Sequence, residues 1–398
     1  MTEPKTPAQQ RPAKMTPMLE QYFYWKNKYP DCVLFFRMGD FFECFFEDAK
    51  LVSRELDIAL TARDANKNMP MAGVPHHAVD QYAARLIEKG YKIAVCEQMT
   101  PPDGRTLVDR EVVKILTPGT FIPEEGTVDS SLASLLLGQD RWTVGFLTPS
   151  ASTVQVGTFS PQEAWSVLLS FAPREILIPR GRGYREKVEA NPGWAYSEMS
   201  AEDFDPEIGL ARLCQLWNVN SLEGFGLRRG DPRIGAVSAL VSYAEETSFS
   251  KAAHIRSISQ ILPEGFMHLD WHTQNNLDLW GGEASLFECM NECATPFGKK
   301  LLHDWIARPL CSIEKINERL DSVQELYDRE DVSRSLAELL EKCRDVERAI
   351  ARLHMKSANP RDLGAIRDTL DVHPEIGAAL GEICRSAALP APGEYSPE

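Results

Sequence analysis

Apolar residues follow two regimes along the chain: short alternating or continuous runs up to about residue 265, and helical three-and-four spacing beyond it. Thr16-Pro17 ahead of Met18-Leu19 supplies an N-cap and an N1 proline for a first helix, which Tyr29-Pro30 ends. Residues 32–37 read as a strand, Gly39-Asp40 as a turn, and a second extended piece follows. The pattern then predicts a helix over 47–56, a short strand over 58–61 and a helix over 77–89 stopped by Gly90. Strands over 91–97 and 112–116 complete a first mixed α/β unit. Strand-like runs recur at 132–137, 143–147, 153–159 and 175–178, with a hairpin gap at 148–152 and a helix at 162–170. Further helices are expected near 207–217 and 234–246. Beyond 265, Thr295-Pro296, Ser312 and Asn359-Pro360 each head a helical run. Leu301, Leu302, Trp305 and Ile306 make one apolar stripe there, and Ile313, Ile316, Leu320 and Val323 the next.

One stretch stands out. Phe35, Phe36, Phe41, Phe42, Phe45 and Phe46 crowd into twelve residues of a chain that holds 17 phenylalanines. Such a run is core material by default. Yet Phe41 and Glu43 are two apart, so on an extended strand they share a face. A carboxylate beside a phenyl ring on a buried face is costly to desolvate. The face bearing Phe41 and Glu43 is therefore expected to be displayed, with Phe42 and Cys44 pointing inward.

Composition narrows the class. The length of 398 residues allows two to four domains with ample cores, and no apolar run approaches the roughly 18 residues needed to span a bilayer. Residues 1–14 are polar and Pro-rich, and read as a disordered lead-in. Nine scattered cysteines suit reduced thiols in a cytoplasm. A net charge of −15 argues against bulk electrostatic binding of nucleic acid, although residues 1–120 are balanced at 16 Lys+Arg against 16 Asp+Glu. Any DNA contact must then depend on local residues and shape.

Catalytic constellations are absent from the pattern. Phe297-Gly298-Lys299-Lys300 lacks the first glycine and the hydroxyl of a phosphate-cradling loop, and it lies among helices. Cys289, Cys293 and His303 have no fourth ligand nearby, so buried thiols are the simpler account. A hairpin, helix and strand in RNase H-like order mark the second unit, but Asp140, Glu163 and Glu175 stand at no metal-binding spacing and read as surface acids.

Arg37-Met38-Gly39-Asp40-Phe41-Phe42-Glu43 and Asp57-Ile58-Ala59-Leu60-Thr61 resemble the first domain of the MutS mismatch-recognition family. So do Pro70-Met71-Ala72-Gly73-Val74-Pro75-His76-His77-Ala78, Val95-Cys96-Glu97-Gln98 and Ile115-Leu116-Thr117-Pro118-Gly119-Thr120. The likeness runs on through Gly224-Phe225-Gly226, His254-Ile255-Arg256-Ser257-Ile258, Thr295-Pro296-Phe297-Gly298, Arg308-Pro309-Leu310 and Ala358-Asn359-Pro360-Arg361-Asp362-Leu363, covering residues 15–375. It implies a mismatch-recognition domain over 15–122, an RNase H-like α/β connector over 130–260 and an all-α core or lever region over 265–398. The family's Phe-x-Glu motif falls on Phe41-Phe42-Glu43. By that likeness Phe41 wedges into the minor groove and stacks on the mispaired base, while Glu43 hydrogen-bonds it. Met38 and Arg63 match neighbouring positions near the DNA.

Physical chemistry agrees with that assignment. An apolar wedge unstacks a base step at a cost of roughly a few kcal/mol. A mismatched step is already easier to deform, so the wedge discriminates without reading sequence. Glu43 should meet a base N–H or carry a proton itself. The resemblance further implies mismatched double-stranded DNA as ligand, a MutL-type protein partner docking on the connector, and a cytoplasmic, nucleoid-associated location. It attaches homodimerisation, ATP and Mg²⁺ to a full-length protein with clamp and ATPase domains. This sequence stops inside the helical core, so ATPase activity is not expected of it, and an exposed apolar core face and poor solubility are. A protein-interaction module acting through the connector, without mismatch-specific binding, is the alternative.

Overall fold

A computed structural model describes residues 16–62, 69–100, 108–122, 131–181, 183–189, 194–252, 254–261, 265–267, 269, 271–280, 284–354 and 358–381. The first unit runs α1 (Pro17–Lys28), β1 (Cys32–Met38), β2 (Phe41–Phe45), α2 (Phe46–Leu56), β3 (Thr61–Ala62), β4 (Pro70–Pro75), α3 (Val79–Glu88), β5 (Lys92–Gln98) and β6 (Arg110–Leu116). Its six strands form one mixed sheet in the order β3-β4-β2-β1-β5-β6, with β1 and β5 parallel and the other pairs antiparallel. Strand alternation sends Val33, Phe35, Phe42 and Cys44 to one face, where Val52 and Leu56 of α2 and Leu86 of α3 cover them. Leu34, Phe36, Phe45 and Cys96 go to the other face, under Leu19, Tyr22 and Phe23 of α1.

Thr16 caps α1 as its sequence promised, accepting from the Leu19 amide at 3.4 Å. Asp48 ties the layers together: its carboxylate accepts from the Leu34 amide at 3.0 Å, the Tyr22 hydroxyl at 3.4 Å and the Lys26 ammonium at 2.9 Å. The expected strand over 58–61 shrinks to Thr61–Ala62. The chain at Asp57 turns left-handed (φ +56°) and closes α2, with the Ile58 amide bonded to Ser53 O at 3.1 Å, so Ile58 is held away from the ladder.

The second unit carries β7 (Leu132–Leu137), β8 (Trp142–Leu147), β9 (Thr153–Phe159), α4 (Pro161–Phe171), β10 (Glu175–Pro179), α5 (Tyr184–Glu189), β11 (Ala195–Met199), α6 (Pro206–Trp217), α7 (Pro232–Ser248) and β12 (Ser257–Gln260). Strands β7, β8 and β9 form an antiparallel meander, and β10, β11 and β12 join it in parallel, giving the order β11-β10-β7-β8-β9-β12. Helices α6 and α7 cover one face, α4 and α5 the other. Residues 234–244 of α7 are buried without a break. The short α5, β11 and β12 were not foreseen.

Helices follow: α8 (Trp271–Asn276), α9 (Leu286–Met290), α10 (Pro296–Ala307), α11 (Ile313–Asp328), α12 (Glu330–Leu340), α13 (Val346–His354) and α14 (Pro360–Gly381). Thr295 and Ser312 cap α10 and α11, accepting from the Gly298 and Lys315 amides. Val332 and Leu336 of α12 pack with Leu326, Ile376, Ala379 and Leu380. The stripe Ile313, Ile316, Leu320 and Val323 is exposed, Ile313 at 74%. Its helical period is real, but among the described residues nothing covers it. The fold is thus mixed α/β over two sheets and all-α thereafter. Among the described residues, no helix is long and apolar enough to cross a membrane.

Candidate nucleic-acid interface

The β1–β2 hairpin builds the site. Met38 pairs with Phe41 across a two-residue turn, and its first residue, Gly39, has φ +61°, a conformation that glycine adopts without a Cβ penalty. The His76 amide donates to Asp40 O at 2.9 Å, bracing the turn against the end of β4.

Register then decides which side chains are shown. Phe41, Glu43 and Phe45 lie on the α1 side of β2, opposite Pro75, Gly73 and Met71 of β4. Helix α1 covers Phe45 completely, yet Phe41 at the far end of the strand is 48% exposed and Glu43 is half-buried. Phe35, Phe36, Phe42, Phe45 and Phe46 are all buried, as is Cys44. The single aromatic run therefore separates into core rings and one displayed ring beside a carboxylate. Met38 is half-buried on β1 directly opposite Phe41, so the fold brings Met38, Phe41 and Glu43 together. Arg63, the fourth expected contact, lies outside the described residues.

Two arginines near this cluster were not singled out in the sequence. The buried Arg110 of β6 donates from Nε to Arg37 O at 2.8 Å and sets its guanidinium 5.1 Å from the Phe36 ring centroid. Phe36 pairs with Glu43, so this cation backs the displayed face. Arg37 lies on the opposite face, over the Phe42 ring at 5.2 Å and 3.7 Å from the Glu97 carboxylate. Their signal was the alternation of polar with apolar residues at the strand ends. Burial pushes the Cys44 thiol on the opposite face well above its ordinary range, the Asp48 charge adding to it, and burial raises Cys96 under α1 to about 12.

The acids set aside as surface residues divide. Asp140 is exposed, and Glu163 closes a capping box with Ser160 at the head of α4. Glu175 contradicts the expectation: it is fully buried. Its carboxylate accepts from the Gly119 amide at 3.0 Å, the Tyr243 hydroxyl at 2.6 Å and the Ser197 hydroxyl, with the Lys92 ammonium at 3.5 Å. These partners come from both sheets and from α7, which periodicity along one strand cannot reveal. Gly119 is required there, since a Cβ would come within 2.6 Å of Leu132 Cδ1.

The nucleotide-loop remnant does not fit a phosphate. The Gly298 amide is used by Thr295 Oγ1 at 3.0 Å, and Lys300 faces Glu347 at 3.6 Å. His303 stacks on Trp280 with ring centroids 4.0 Å apart, and the expectation of buried thiols beside it fails, since Cys289 is exposed and Cys293 half-buried.

Comparison with known proteins gives the family. Residues 16–125 match the family model for MutS domain I, 130–256 that for MutS domain II and 268–391 that for MutS domain III. The chain is 34% identical over 394 residues to a protein of Symbiobacterium thermophilum named DNA mismatch repair protein MutS, covering 94% of this chain and 45% of that one. Proteins of the same name from Thermotoga neapolitana and Desulfosudis oleivorans are 35% and 37% identical over 92% of this chain, and 46% and 43% of theirs. The chain thus spans somewhat less than half the length of the relatives it matches.

Proposed function

The chain belongs to the MutS family, and from that premise we propose that it recognises mismatched base pairs in double-stranded DNA for mismatch repair. Phe41 enters the minor groove and stacks on the mispaired base, and Glu43 accepts a hydrogen bond from that base in a kinked duplex. One observation carries this reading: Phe41 stands 48% exposed beside Glu43 while the other five phenylalanines of the run are buried. A ring left in water at the lip of a hairpin has desolvation free energy in reserve, which stacking on an unpaired base releases. Met38 flanks the wedge, and Arg63 is assigned to the same DNA-facing group. A MutL-type protein docks on the connector, and DNA keeps the protein with the nucleoid. Homodimerisation, ATP and Mg²⁺ are assigned no residue of this chain.

The test is a titration of a G·T-containing duplex against its matched counterpart, at fixed salt because phosphate contacts dominate absolute affinity. The native sequence should prefer the mismatch, and Phe41→Ala should erase a preference of about ten- to a hundredfold, the worth of one stacked base. Equal binding of both duplexes, unchanged by the alanine, would favour the protein-interaction alternative.

A further inference from the structure

Gly73 lies in β4 directly opposite Glu43, on the same face as Phe41, between Met71 and Pro75. Glycine weakens a strand, so its presence in one calls for a reason. Backbone geometry supplies none, because its φ lies outside the left-handed region. Crowding supplies none either. A Cβ built on Gly73 would sit 3.4 Å from Phe42 O, 3.6 Å from Glu43 Cγ and 3.9 Å from Phe41 Cδ1, ordinary contact distances. Gly119 offers the contrast, for there a Cβ meets Leu132 and Glu175 at under 3 Å. At Gly73 the fold would accept a methyl group, and that methyl would stand between the displayed ring and the carboxylate.

We propose that Gly73 is a specificity-determining residue: the notch it leaves between Phe41 and Glu43 seats the sugar and base edge of the mispaired deoxynucleotide. Glycine within a strand commonly marks a place where another molecule must approach the backbone closely. Here that approach brings the base edge to the Glu43 oxygens while the Phe41 ring holds the vacated stacking position. The ligand is one displaced deoxynucleotide of a mispaired step. The inference rests on the mismatch reading above.

The experiment compares the full chain with Gly73→Ala and Gly73→Leu in thermal melting and in duplex titrations with Phe41→Ala alongside. Gly73→Ala should melt at the same temperature or slightly higher, since alanine restricts the unfolded chain. Its preference for mismatched over matched duplex should nonetheless fall about tenfold, the scale on which one methyl group is felt in a fitted pocket. Gly73→Leu should lose the preference, and purine·purine mismatches should suffer more than an unpaired thymine in both variants. The inference is overturned if Gly73→Ala discriminates as the native sequence does while Phe41→Ala does not. It is equally overturned if melting temperature and discrimination fall together, which marks a structural glycine. If the native sequence itself shows no preference, the mismatch reading fails first and takes this inference with it.

Discussion

The Lys92 ammonium lies 3.5 Å from the buried Glu175 carboxylate, so a cation on β5 of the first sheet answers an anion on β10 of the second. With Gly119, Tyr243 and Ser197 also bonded to Glu175, every partner loses when the carboxylate goes. Glu175→Ala should destabilise the chain by about 3–5 kcal/mol, the usual cost of breaking a buried charged pair. Lys92→Met should cost less, because three hydrogen bonds still hold the carboxylate. Urea unfolding measures both, and an alanine variant within about 0.5 kcal/mol of the native sequence would refute the node's structural role.

Adjacent phenylalanines should separate stability from binding. Phe42 is fully buried, so Phe42→Ala should cost about 3–5 kcal/mol of folding stability. Phe41→Ala should stay within about 0.5 kcal/mol of the native sequence while abolishing mismatch preference. The same unfolding curves decide this, and comparable losses for the two would show Phe41 to be a core residue.

Acid should loosen the contact between the connector and α13. Burial, and next the charge of His354, hold the His254 imidazole below its ordinary range; its ring stacks on His354 at 5.3 Å, and Nε2 lies 3.0 Å from Pro149 O. A pKa lowered by folding means that the unfolded chain binds the proton more readily. The His254 contribution is therefore complete above about pH 6.5, the unfolded value, and is lost as pH falls through the folded value. Melting temperature should drop over that window in the native sequence and drop less in His254→Leu.

Thiol chemistry should follow burial. Burial raises Cys32 to about 11 and Cys96 to about 12, and it pushes Cys44 well up, so none presents a thiolate near neutrality. An aromatic disulfide reagent at mildly alkaline pH should label the exposed Cys289 and Cys311 and spare those three until denaturant is added. Labelling of Cys44 in the native protein would mean that the hairpin opens.

What could be read without coordinates was whatever local chemistry decides. Thr16, Ser312 and Gly39 announced caps and a turn, and period-two spacing placed Phe41 and Glu43 on a displayed face and Phe42 inside. What could not be read depends on residues far apart in the chain. Glu175 looked like a surface acid because Lys92, Gly119 and Tyr243 reach it only after two sheets and α7 assemble. Ile313 to Val323 declared a helix but not its covering, and the pairing of Gly73 with Glu43 shows only in the sheet register.

Helix α7 packs against β7, β8 and β9 and also touches β6 of the first sheet. The amides of its buried stretch, residues 234–244, should trade protons for deuterium only when that body opens, and so form a slow clock for the molecule. A ligand gripped at the hairpin stabilises the closed body by mass action and should make that clock run slower, far from any base it touches.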